Sequence, residues 1–127
     1  LKNAKISPKD IDYINVHGTS TPLGDIAEIT AIENVFKENT KNINISSTKS
    51  MTGHLLGAAG AIETIASILA INHKKVPPTI NHFNNDDKIN KKLNFTFNKT
   101  QQREVKIAIN NTFGFGGHNT SIAFKKY

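Results

Sequence analysis

Apolar and polar residues alternate in some stretches of this chain and recur every three to four positions in others, and the two patterns take turns. Tyr13-Ile14-Asn15-Val16-His17 is short and alternating and reads as a strand that ends on His17. Gly18-Thr19-Ser20-Thr21-Pro22-Leu23-Gly24 follows, a loop of hydroxyls and turn formers. From Asp25 to about Lys37, the residues Ile29, Ile32 and Val35-Phe36 fall at helical spacing, with Asp25 and Glu28 placed to meet the helix's positive N-terminus. The order then repeats. Ile43-Asn44-Ile45-Ser46-Ser47 predicts a second strand, Thr48 to Gly53 a polar loop, and a long apolar helix opens at His54 and runs to about His73.

Two strand–loop–helix units in succession imply an α/β fold with a parallel sheet, whose loops gather at the carboxyl ends of the strands. His17, Lys49 and His54 are therefore expected to converge despite their separation along the chain. Ser7-Pro8-Lys9-Asp10-Ile11 predicts a short helical turn before the first strand. Val76-Pro77-Pro78-Thr79-Ile80-Asn81 is held extended by its prolines, and the Asn/Asp/Lys-rich stretch 84–92 is the segment expected to be most mobile. Val105 to Asn110 and Thr120 to Phe124 predict two closing strands. Between them, Gly114, Gly116 and Gly117 are expected to leave backbone N–H groups free, beside the bulk of Phe113 and Phe115.

Composition narrows this picture only a little. The 127 residues suit a single domain with a core of its own. Mean hydropathy is −0.37, and the apolar run from Ala58 to Ile71, broken by Glu63, Thr64 and Ser67, reads as too short to span a bilayer. Leu1 is not an initiator methionine, so a leader or a preceding domain is an open expectation. There is no cysteine, which excludes disulfides, thiolate metal sites and a cysteine nucleophile within these residues. The net charge of +6 comes from scattered lysines and the single Arg103, without the arginine–aromatic interleaving of a nucleic-acid surface. An AT-rich coding sequence accounts for abundant Lys, Asn and Ile as well as an acidic partner would.

Two imidazoles on separate loops, a lysine beside one of them and a glycine-rich turn are equipment for stabilising an oxyanion or enolate. His54, placed at the helix N-terminus, is expected to be biased to its neutral form by the helix dipole. Neutral Nε2–H groups on His17 and His54 could then donate to one carbonyl oxygen, with Glu63 holding Lys49 in a buried ion pair. A metal held by the histidine pair lacks a third ligand at suitable spacing, and no cofactor is expected. His73, His82 and His118 read as surface or packing residues, and the glycine turn lacks the following helix of a phosphate loop.

Four stretches carry a resemblance that goes further. Val16-His17-Gly18-Thr19-Ser20-Thr21-Pro22, then Ser47-Thr48-Lys49-Ser50 through Gly53-His54 to Gly60, then Val76-Pro77-Pro78-Thr79-Ile80-Asn81, and finally Phe113-Gly114-Phe115-Gly116-Gly117-His118-Asn119 stand in order over the whole chain. In these the chain resembles the C-terminal half of the elongating β-ketoacyl-acyl carrier protein synthases of the I/II type, synthase II above all. The resemblance implies a thiolase-like fold, with residues 1–127 as one C-terminal domain comprising a mixed sheet flanked by helices and one apolar helix of the central layer. It implies decarboxylative Claisen condensation: malonyl thioester on acyl carrier protein loses carbon dioxide, and its enolate attacks an acyl group held on a cysteine.

Residue by residue, His17 and His54 match the histidines that hydrogen-bond the malonyl thioester carbonyl, Lys49 the lysine that supports His54, and Glu63 the glutamate that bonds this lysine. Phe115 matches the gating phenylalanine, whose N–H also serves the acyl oxyanion hole. Thr19 and Thr21 match the threonines on the pantetheine arm, with Phe113 and Gly114 also at the substrate. His54 separates this pattern from the initiating synthases, which carry Asn there, and thiolases proper use a further cysteine that is lacking here.

The family's nucleophile belongs to an N-terminal half, so these residues alone are expected to be inactive. That half, acyl carrier protein and, for the intact enzyme, a second copy are the expected partners; nucleic acid and membrane are not. A bacterial-type cytoplasm, a plastid or a mitochondrion would suit the family. A non-catalytic chain-length subunit, a polyketide module of the same fold and a basic nucleic-acid-binding domain are the alternatives, the last betrayed by affinity that falls steeply with salt.

Overall fold

In the computed structural model, which describes residues 1–127, the alternating stretches form strands of one sheet. β1 (Tyr13–Asn15) lies between β2 (Asn44–Ser46) and β5 (Ile107–Phe113), parallel to both. β6 (Asn119–Lys125) runs antiparallel along the far side of β5, so the sheet is mixed, in the order β2-β1-β5-β6. A short antiparallel ribbon, β3 (Lys75–Val76) with β4 (Gln101–Gln102), stands apart. Thr96 N–H donates to the Ile45 carbonyl at 2.9 Å, and Ile45 N–H to the Asn94 carbonyl at 3.1 Å, which continues the pairing past β2.

Period-two alternation sorts the strand side chains onto two faces. Ile14, Val16, Ile43, Ile45, Ile107 and Ile109 point to one side and pack with Ile29, Ile32 and Phe36 of α1 (Gly24–Phe36). Tyr13 and Ala108 point to the other, against Ala70 and Ile71 of α3 (Ala59–His73). This second face is unusually polar for a core. It holds Asn15, Asn44, Ser46 and Asn110, all buried. Buried polar groups are tolerated when bonded: Tyr13 Oη meets Ser46 Oγ at 3.0 Å, and Asn110 Nδ2 donates to the Gly60 carbonyl at 3.0 Å. Burial pushes the Tyr13 phenol above its usual range and keeps it neutral. Gly60 is small for a reason within this chain, since a Cβ there would stand 3.1 Å from Thr112 Oγ1 on β5.

The helix boundaries differ from those expected. Thr48 to Gly53 is not a plain loop: Lys49–Thr52 forms a short helix, α2, which Gly53 ends at φ 74°. Leu56–Ala58 adds a 3-10 turn with Leu56 at φ 51°, and α3 begins only at Ala59. His54 therefore lies before α3 rather than on its first turn, and the dipole reading of that histidine falls away, because the dipole acts only within about a turn of the helix end. β5 continues three residues beyond Asn110, since Asn111 to Phe113 pair with Ser121, Thr120 and Asn119 in a hairpin.

Ile62, Ile65, Ile68 and Leu69 lie exposed along the outer side of α3. The Leu56–His73 segment counts 18 residues at mean hydropathy 1.2, long and apolar enough to cross a membrane by length and composition, which corrects the shorter count made from Ala58 to Ile71. Soluble core helices pass the same test, and this one carries a buried ion pair.

Candidate active site

The strand ends bring His17, Lys49 and His54 together as expected. β1 delivers His17, and the turn after β2 delivers Lys49 on α2 and His54 just beyond it. The two imidazoles meet edge to face, with ring centroids 5.2 Å apart and planes at 87°. Phe113, at the end of β5, stands 5.3 Å from the His17 ring.

Each imidazole is held through the same nitrogen. Phe113 N–H donates to His17 Nδ1 at 3.4 Å, and Leu56 N–H donates to His54 Nδ1 at 3.2 Å. An Nδ1 that accepts a hydrogen bond carries no proton, so in each neutral ring the proton sits on Nε2. Leu56 reaches His54 from only two residues away because it adopts φ 51°, a left-handed conformation that an L-residue takes at some cost. Burial, then the Lys49 cation and then neighbouring His54 bring the His17 pKa down to about 4, so this ring is neutral around pH 7.

Lys49 and Glu63 form a buried ion pair through Nζ and Oε1, as the sequence led us to expect. Removing one partner of such a pair strands the other charge in a dry site, at a cost of about 3–5 kcal/mol. Glu63 Oε2 and Asn110 Oδ1, both buried, have no hydrogen-bond partner.

Glu28 is the residue that sequence reasoning misplaced. It stands one turn into α1, buried, and its carboxylate accepts from the N–H of His17 (Oε1) and of Gly18 (Oε2), each at 3.0 Å. Asn111 Nδ2 adds a third bond at 3.1 Å. Burial raises its pKa, and these donors oppose the rise. No local pattern announces such a contact, because it joins a helix to the strand end before it. Asp25 does lie in the first turn of α1, but its carboxylate accepts Ser20 N–H of the preceding loop at 3.2 Å rather than capping the helix.

The glycine turn closes one rim. Gly116 and Gly117 take φ 76° and 83°, and Phe115 projects into solvent, 94% exposed. Two of its N–H groups are not free as expected: Phe113 N–H goes to His17, and Gly114 N–H donates to the His118 carbonyl at 2.7 Å. Thr19 lies half-buried and Thr21 exposed beyond His17, their hydroxyls 3.4 Å apart. His82 lies outside the cluster, stacked 3.6 Å above Phe97.

Residues 1–83 match the β-ketoacyl synthase C-terminal domain family. Over all 127 residues the chain is 49% identical to 3-oxoacyl-[acyl-carrier-protein] synthase 2 of Staphylococcus aureus (strain COL) and 48% identical to the protein of the same name from Synechocystis. It spans about 30% of the length of these curated relatives. Among solved structures, it superposes on a ketosynthase complex, described as a type II PKS acyl-carrier protein in complex with its ketosynthase bound to the hexaketide. The TM-score is 0.94 at 40% identity, covering 100% of this chain and 31% of that one. A β-ketoacyl synthase from Burkholderia phymatum STM815 gives 0.92 at 35% identity, covering 100% of this chain and 30% of that one.

Proposed function

This chain belongs to the β-ketoacyl synthase family through its C-terminal domain, and we propose that it supplies the decarboxylation half of a fatty-acid-elongating active site. Its fold is thiolase-like, a mixed sheet flanked by helices. The single observation that carries the reading is the matched pair of imidazoles, each accepting a backbone N–H at Nδ1 and each left with an Nε2–H to donate.

The chemistry follows from those two donors. The thioester carbonyl of malonyl-acyl carrier protein sits between the Nε2–H groups of His17 and His54. The C–C bond to the carboxylate breaks, carbon dioxide leaves, and the electron pair passes through the α-carbon onto the carbonyl oxygen as an enolate. Both donors hold the developing negative charge, which is where oriented hydrogen bonds accelerate a reaction most. Lys49, paired with Glu63, adds positive potential at the site, and burial and this cation together keep His17 neutral. The enolate carbon then attacks an acyl thioester on a cysteine, a new C–C bond forms, and the cysteine thiolate leaves.

That cysteine is not among these residues, so the reading places it in the remainder of a longer synthase, with residues 1–127 as the C-terminal domain. The exposed apolar side of α3 is the face this remainder would cover. Phe115 would gate the acyl site, and Thr19, Thr21, Phe113 and Gly114 would line the pantetheine path. Acyl carrier protein delivers both substrates, and the intact enzyme pairs as a homodimer. The 49% identity over the whole chain to 3-oxoacyl-[acyl-carrier-protein] synthase 2 supports elongation of fatty acids.

The reading is tested on the full-length synthase carrying this chain. His17→Ala and His54→Ala should each abolish decarboxylation of malonyl-acyl carrier protein, followed as carbon dioxide release, while acyl transfer to the cysteine persists. Normal release in either variant overturns it.

A further inference from the structure

Ser47 is the first residue after β2, buried between the two loops that carry the histidines. Its hydroxyl donates to the Gly18 carbonyl at 2.8 Å, and its N–H donates to Thr79 Oγ1 at 2.8 Å. Its own carbonyl accepts Ser50 Oγ at 3.0 Å, and Ser50 Oγ in turn accepts Ile80 N–H at 2.9 Å. One residue thus ties the start of α2 and the extended segment after Pro78 through its backbone, and its side chain alone reaches across to the loop after β1.

The backbone it grips is the one that aims His17. Glu28 holds the N–H groups of His17 and Gly18, and Ser47 holds the Gly18 carbonyl, so the peptide groups around the ring are fixed from two sides. Gly18 has φ 39°, and a Cβ there would stand 2.8 Å from Ser47 Cβ, so position 18 has no room for a side chain beside Ser47. The orientation of a donor at a reaction centre depends on this kind of support, and a displacement of about 1 Å can cost roughly a hundredfold in rate.

We propose that Ser47 is a positioning residue, which locks the His17 loop to the Lys49–His54 arm through the Gly18 carbonyl and so sets the distance between the two Nε2–H donors. This rests on the decarboxylation role given to the two histidines. In the full-length synthase, Ser47→Ala should lower kcat for malonyl decarboxylation about tenfold, leave KM for malonyl-acyl carrier protein unchanged, and leave acyl transfer to the cysteine at its normal rate. Ser47→Thr, which keeps the hydroxyl, should return most of kcat, whereas Ser47→Cys, a weak donor, should stay low; this pair carries the comparison even where Ser47→Ala does not accumulate in folded form.

Unchanged decarboxylation in folded Ser47→Ala, or equal rates in the Thr and Cys variants, overturns the proposal. So does a parallel fall in decarboxylation, acyl transfer and melting temperature, which would make Ser47 a structural residue only. His17→Ala is run beside them: if it decarboxylates normally, the histidine reading itself fails and takes this proposal with it. If only the Ser47 variants are silent, the positioning role alone is lost.

Discussion

The same sheet carries a polar network at each end, and the two are built on opposite terms. At the amino end, the Arg103 guanidinium donates to Asn44 Oδ1 at 2.7 Å and to Asp12 Oδ1 at 3.0 Å. Asp12 Oδ2 accepts the N–H groups of Lys106 and Ile107, and Asn44 Nδ2 donates to Thr96 Oγ1 and Gln101 Oε1. Both carboxylate oxygens and both ends of the amide are bonded. At the carboxyl end, two imidazoles are bonded at Nδ1 only, and Glu63 Oε2 and Asn110 Oδ1 have no partner. A network that only joins strands can be closed; under the proposed function, the open end keeps the two imidazole Nε2–H groups unspent for a substrate carbonyl.

The largest effect should come from breaking the buried pair at the open end. Lys49→Met strands the Glu63 carboxylate, and denaturation should show a loss of about 3–5 kcal/mol. The double variant Lys49→Met/Glu63→Leu should regain much of this stability and none of the decarboxylation. That separation is the point: stability can be rebuilt with apolar atoms, whereas the positive potential that Lys49 lends to a developing enolate cannot. A double variant that remains as unstable as the single one would show that the pair is needed for folding as well.

A middle-sized effect should come from the closed end. Arg103→Ala removes two charge-assisted bonds from a partly exposed site, so the loss is discounted to about 1–2 kcal/mol. Arg103→Lys should recover only part, because an ammonium cannot span Asp12 and Asn44 with the guanidinium's planar fork. Decarboxylation measured below the melting transition should not change in either. A fall in kcat there would mean that the two ends are coupled and that their contrast is only apparent.

How much of this could be read before the structure depends on the range of each interaction. Strand, loop and helix order was legible, since hydrophobic periodicity is local, and the convergence of His17, Lys49 and His54 followed from it. The Lys49–Glu63 pair was legible too, because a lone carboxylate in an apolar helix demands a partner. The start of α3 was not. Leu55, Leu56, Ala58 and Ala59 favour helix by composition in spite of Gly57, and only the backbone shows Gly53 and Leu56 turning to positive φ. Glu28 and Ser47 escaped for a related reason. Each bonds backbone groups of a loop distant in sequence, and a backbone carbonyl or N–H leaves no mark in the order of side chains.

The His17 ring is partly exposed and solvent screening reduces what its shift contributes, so the dependence on acid is the smallest effect, and it should belong to one end only. His17 is held near pKa 4 when folded and returns to about 6.5 when unfolded. Between those values the unfolded chain binds a proton that the folded chain does not, so the stability given by His17 is fully present above about pH 6.5 and is lost as pH falls towards 4. A proton on Nδ1 would also face the Phe113 N–H, two donors opposed, so decarboxylation should hold its rate down through pH 6.5 and fall only near pH 4. Asp25 and Glu28, raised by burial, act on stability with the opposite sign, so His17→Asn is the comparison that isolates the imidazole. Unfolding of that variant should lack the wild-type loss between pH 6.5 and 4, and Arg103→Ala should keep it. If His17→Asn shows the same slope as wild type, the acid response lies elsewhere and the imidazole is not held neutral by its site.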